Sequence, residues 1–269
     1  MAQNASMVDS GGVTTSDVTA GVEYPGCPVT VLEALQRGAV LKPPRWGLGS
    51  AVITLVGAIA LGVLVAVPLI ALDAPLAVTA IVGTLFPWIA LAGWPVFVTW
   101  WKGNGPRIDL GLRLTWSDTG WGALAGFVGL MFAGIVALIT ETIAGEFSSA
   151  AGDIAVELRD EGPFWALLLF AIMIMVGAPI VEEIAFRGLI FNALRKKGMG
   201  AIWTIIITAV AFSAFHFEPI RFLVLLPIGL VYGWVRWKTG SLGAAMVAHG
   251  VNNAPAALVL LVGIPEMTP

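Results

Sequence analysis

From residue 48 onward the chain is a succession of apolar runs, each close to the length of a bilayer crossing. A helix rises 1.5 Å per residue, so about 20 apolar residues cross the roughly 30 Å hydrocarbon core of a membrane. Seven such runs follow Pro43-Pro44: Leu48–Leu72, Leu76–Trp101, Gly120–Ala144, Phe164–Phe191, Ala201–Phe217, Ile220–Trp237 and Leu242–Ile264. Backbone polar groups in lipid must be satisfied within their own segment, which makes each run a helix. Pro87, Pro95, Pro179 and Pro227 fall inside runs and predict kinks. A charged fraction of 12%, about half that of a soluble domain, excludes a water-soluble globule. The expected fold is all-α: a polytopic bundle of about seven transmembrane helices, with room for an eighth lying in the interface.

Residues 1–45 read differently. They are polar and small, lack the basic-then-apolar order of a signal peptide, and are expected to form a mostly disordered cytoplasmic tail, with a short helix near Val31–Gly38. Residues 46–269 then form the membrane domain. The single cysteine, Cys27, falls in the tail and has no internal disulfide partner. With the N-terminus in the cytoplasm, twelve of fourteen basic residues face inward, leaving Arg159 and Arg221 outside with the acidic loop after the third span. This places the chain in the cell membrane. The excess of 17 acidic over 14 basic residues gives no footprint for nucleic acid. Tryptophans near span ends, Trp46, Trp100, Trp101, Trp116, Trp121, Trp165, Trp234 and Trp237, are assigned to interfacial belts. Gly122-x-x-x-Gly126 marks a helix-packing face whose partner, another span or another copy, is left open, as is the oligomeric state.

Ionisable groups inside a bilayer cost at least a few kcal/mol and so ask for a reason. Glu182, Glu183 and Arg187 lie in the fourth run, and the only two histidines, His216 and His249, are both placed within runs. Asn253 follows His249 by four residues, on the same helix face. Helix rise puts Glu182 about 21 Å from the cytoplasmic end of its helix, His216 about 24 Å along, His249 about 12 Å and Asn253 about 18 Å, so the four can meet in one layer. The run from Phe164 to Lys196 is too long for a straight crossing and predicts tilt or a break near Gly177-Ala178-Pro179.

Glu183 and Arg187, spaced i, i+4, suit mutual neutralisation. Glu182 has no partner on its own helix, and a desolvated carboxylate can act as a general base on water. A histidine can share that proton, while an uncharged amide such as Asn253 suits an oxyanion. This set fits peptide-bond hydrolysis without a covalent intermediate, since Ser213, three residues before His216, has no clear pairing as a nucleophile. The same atoms of Glu182, His216 and His249 also fit a zinc site with an open position for water. No cofactor is favoured, and a divalent metal stays an alternative. The bland reading is a polar network pinning helices together. Other readings are a scaffold binding a partner in the same cavity, or a transporter, against which no inverted repeat is visible.

Ala178-Pro179-Ile180-Val181-Glu182-Glu183-Ile184-Ala185-Phe186-Arg187 resembles the E-E-x-x-x-R motif of the CAAX prenyl endopeptidase type II and bacteriocin-processing (CPBP) family. Phe212-x-x-x-His216 and His249-x-x-x-Asn253 resemble its second and third motifs, and Thr239-Gly240-Ser241 is also similar. The resemblance covers residues 163–255. It implies an intramembrane endopeptidase, glutamate-dependent or metal-dependent, acting on a membrane-associated protein or peptide. Glu182 and His216 would then activate water, His249 and Asn253 would stabilise the oxyanion, and Glu183, Arg187 and Phe212 would support the site. Some members of the family act instead as immunity or scaffold proteins.

Overall fold

The computed structural model describes residues 28–262, and Cys27 lies outside them. Its helices are α1 (Pro28–Gln36), α2 (Leu48–Ala71), α3 (Leu76–Lys102), the single turn α4 (Pro106–Asp109), α5 (Trp116–Ala144), α6 (Ala150–Glu161), α7 (Phe164–Lys196), α8 (Ala201–Ala214), α9 (Pro219–Thr239) and α10 (Leu242–Val262). Six of them, α2, α3, α5, α7, α9 and α10, are long and apolar enough to cross a membrane. The fifth of the expected runs is instead the 14-residue α8, which stops at Ala214 because the chain turns there, with Phe217 at a φ of 56°. α6 carries Asp153, Glu157, Asp160 and Glu161 exposed while burying Ala155 and Leu158.

α10 sits between α5 and α7, and α9 packs on α5 and α8. Glycine makes the first contact possible. A Cβ on Gly122 would lie 2.5 Å from the Ala244 carbonyl oxygen, and one on Gly126 would lie 2.5 Å from that of Ala248. The small-residue face is thus spent within the chain, and it draws α10 close enough to α5 to fix His249, one residue past Ala248. The outer faces of α2 and α5 carry Val56, Val63, Val67, Phe127 and Leu138 exposed, as lipid contact requires.

α3 and α7 are not broken at their prolines. Each contains a wider π-helical turn, Ile89–Gly93 and Met173–Gly177, ending two residues before Pro95 and Pro179. A π-turn gives the proline ring the room it lacks over a regular turn, and such bulges concentrate at functional sites. A second π segment in α7, Ile184–Ile190, follows the two glutamates. The predicted tilt or break near Gly177 is therefore met by insertion, not interruption.

On the face where α1 lies, residues 28–45 pack against the bundle. Val31 is fully buried, Thr30 donates to the Ile108 carbonyl at 3.2 Å, and Glu33 lies 3.5 Å from both Arg107 and Arg113. Trp46 departs from the belt assignment: it is 1% exposed, and its indole N–H donates to Asp109 Oδ2 at 2.6 Å. Trp100, Trp101, Trp116, Trp121, Trp165, Trp234 and Trp237 are exposed as a belt requires. Gly240, in the left-handed region at a φ of 64°, ends α9, and Ser241 Oγ then donates to the Arg113 carbonyl at 2.6 Å.

Candidate active site

The first π-turn of α7 sets up the site through an unpaired carbonyl. Within Met173–Gly177 the Ala178 N–H turns to the Met173 oxygen, and Pro179 has no N–H to offer. The Ile174 carbonyl thereby loses the donors at i+4 and i+5, and the Asn253 side-chain amide from α10 supplies one at 3.0 Å. Gly177 lets α3 approach here, since a Cβ would meet the Trp88 ring at 2.4 Å. Asn253 thus keeps one amide hydrogen for other use.

One turn further on, Glu182 and Glu183 diverge. Glu183 is fully buried, and its Oε1 accepts from Arg187 Nη1 at 2.9 Å and from His249 Nδ1 at 3.0 Å. Arg187, also fully buried, donates Nη2 to the Gly229 carbonyl at 2.9 Å and lies 4.6 Å over the Phe212 ring. The second π segment is held from α9, where Arg236 Nε donates to the Arg187 carbonyl at 3.0 Å. Glu183 is more than a neutralising partner for Arg187, because it also orients His249 directly.

With Nδ1–H given to a carboxylate, neutral His249 carries its lone pair on Nε2. That nitrogen lies 3.9 Å from Glu182 Oε2, which has no hydrogen-bond partner. The gap is too long for a direct bond and suits a water donating to both atoms. The His249 ring is stacked on Tyr232, with centroids 4.8 Å apart, and meets Phe212 edge-on at 5.6 Å.

His216 lies just beyond the C-terminus of α8, not inside a helix. Its Nδ1 bonds the Phe212 carbonyl at 2.9 Å, so Nε2 is again the free acceptor in the neutral ring. Phe212 also meets this ring edge-on at 4.9 Å and so forms a wall between the two histidines. Ser213 Oγ donates to the Ala209 carbonyl at 2.9 Å and is buried, which removes it as a nucleophile.

Glu182, His216, His249 and Asn253 all line one cavity of about 390 Å³, with Phe212 and Tyr232 in its wall. The layer expected from helix rise therefore forms, and within it Glu182 Oε2 faces His249 Nε2. Sequence reading missed Tyr232, whose buried hydroxyl has no partner. Its signal was its rarity, for the chain has two tyrosines and this one lies in a membrane run. Among the described residues no three His, Cys, Asp or Glu side chains gather closely enough to hold a metal ion.

Residues 164–255 match the Rce1-like family, described as type II CAAX prenyl endopeptidase Rce1-like. The matched segment contains every residue of the site. "Putative membrane peptidase YdiL" of Bacillus subtilis (strain 168) is 27% identical over 154 residues, which are 56% of this chain and 57% of that protein. The chain thus spans little more than half the length of this curated relative. No solved structure shows a significant match.

Proposed function

We propose that this chain, Rce1-like over residues 164–255, is an intramembrane endopeptidase hydrolysing a peptide bond of a membrane-associated protein or peptide. The observation that carries the reading is the unpartnered Glu182 Oε2 facing His249 Nε2 across 3.9 Å in a cavity that His216 and Asn253 also line. The relative's name as a membrane peptidase supports the same class.

Glu182 is the general base. A water donating to Glu182 and His249 gives one proton to the carboxylate as its oxygen attacks the carbonyl carbon. The π electrons of that carbonyl move to its oxygen, and the free amide hydrogen of Asn253 serves the oxyanion. On collapse the C–N bond breaks, and the leaving nitrogen takes the proton that Glu182 holds. His249, fixed through Nδ1 by Glu183, accepts a hydrogen bond from the water at Nε2 and orients it for attack. His216 presents Nε2 as a second proton carrier, and Arg187 holds Glu183 in place. The scheme needs no resident metal.

The test compares new protein termini across the membrane proteome of cells expressing the parent or Glu182→Ala at matched levels. Termini present with the parent and lost in the variant, and in His249→Ala, are the expected outcome. Identical profiles under several growth conditions overturn the protease reading and favour a binding role for the cavity.

A further inference from the structure

The loops sort cleanly by charge. One face holds α1, α4, the α7–α8 and α9–α10 turns, tied together by contacts such as Arg45 to the Lys102 carbonyl and Ser241 to the Arg113 carbonyl. Eleven basic residues sit on its loops and helix ends, Arg37, Lys42, Arg45, Lys102, Arg107, Arg113, Arg195, Lys196, Lys197, Arg236 and Lys238, against the carboxylates Glu33, Asp109 and Asp118. The opposite face holds the α2–α3 turn, α6 and the α8–α9 turn, joined where Ala150 N–H donates to Glu218 at 2.7 Å. Its described residues include eight carboxylates, Asp73, Glu141, Glu146, Asp153, Glu157, Asp160, Glu161 and Glu218, against Arg159 and Arg221. The excess of Lys and Arg marks the first face as cytoplasmic.

The cavity is polarised along the same axis. Its rim is made by Ser149, Ala151 and Gly152 at the start of α6, by Arg221, and by Ala256 and Leu260 in the last turns of α10. All belong to the acidic face, and no loop of the basic face lines it. Beyond the cavity toward the basic face lies a floor of Glu183, Arg187, Asn192 and Arg236, each fully buried and none lining the cavity itself, with Phe186 and Phe191 buried among them. His216, at the far end of α8, is on the rim side of this floor.

Resting on the protease reading, we infer that the site opens to the extracytoplasmic side, so its substrates are peptide segments exposed on the outer face of the membrane. Substrates presented from the cytoplasm meet the ion-paired floor instead.

The test uses the full chain with Cys27→Ser and one new cysteine at a time. Ala151→Cys reports the rim. Ala178→Cys reports the cavity interior, one turn before Glu182, and Lys197→Cys reports the basic face. A membrane-impermeant maleimide is added to intact cells or to inverted vesicles. Labelling of Ala151→Cys and Ala178→Cys in intact cells, with Lys197→Cys labelled only in inverted vesicles, is expected. Labelling of Ala178→Cys only from inverted vesicles, or of Lys197→Cys from intact cells, overturns the inference. So does failure of Ala178→Cys to react from either side when the denatured protein reacts fully. Labelling needs no turnover, so an inactive protein still reports the open face, and the terminus comparison judges proteolysis separately.

Discussion

Arg187→Met removes a charge from a place where water cannot replace it. The guanidinium is fully buried and is lost together with a 2.9 Å bond to Glu183, a 2.9 Å bond to the Gly229 carbonyl and a stack over Phe212. Glu183, equally buried, is then served only by His249 Nδ1. Breaking a buried pair by deleting one partner costs about 3–5 kcal/mol, because the surviving charge is uncompensated. A neutral replacement of both partners should recover much of this. In Arg187→Met/Glu183→Gln the new amide oxygen can still accept from His249, and the cost should fall to about 1–2 kcal/mol, mainly the lost bond to the Gly229 carbonyl. The assay is reversible unfolding of the purified protein in mixed micelles, with parent, both single variants and the double variant forming a cycle. A cost below about 1 kcal/mol for Arg187→Met, or a double variant no more stable than that single one, would refute the argument that burial makes this pair mutually dependent.

Asn253→Ala leaves the Ile174 carbonyl without its donor and should cost about 1–3 kcal/mol in the same unfolding assay, in addition to any loss of turnover. Gly126→Ala forces a Cβ to within 2.5 Å of a backbone oxygen and should destabilise by about 1–3 kcal/mol, while Gly134→Ala, with nothing within 4 Å, should be neutral or slightly stabilising. A strong chelator should leave proteolysis largely intact; full loss with recovery on adding zinc would contradict the metal-free scheme.

Hydrophobic run length alone carried the fold a long way, because bilayer thickness admits one kind of element and roughly one length for it. It failed where length and burial part company. The segment Ala201–Ala214 is apolar like its neighbours, but whether the helix goes on to Phe217 depends on a turn whose reason is tertiary. Trp46 looks interfacial by position and is buried because Asp109 takes its indole N–H. Among site residues, Glu182, His216, His249 and Asn253 were legible because polar groups are rare in such runs. Their pairing was not: each wider turn in α7 inserts a residue's worth of rotation, and a 3.6-residue period cannot anticipate that. Hence Glu183, read as a partner for Arg187 alone, also grips His249, and Tyr232 enters the wall unannounced.

The shortness of α8 bears on the lipid as much as on the protein. Fourteen residues rise about 21 Å, against roughly 30 Å of hydrocarbon, so the bilayer must pinch inward beside this helix. The dimple lies where His216 ends the helix. Headgroups and their water are drawn down toward the cavity there, and under the proposed function hydrolysis would gain its second reactant without a channel through the bundle. A membrane of longer acyl chains resists that deformation more strongly, so under the same proposal bilayer thickness itself would act as a brake on turnover.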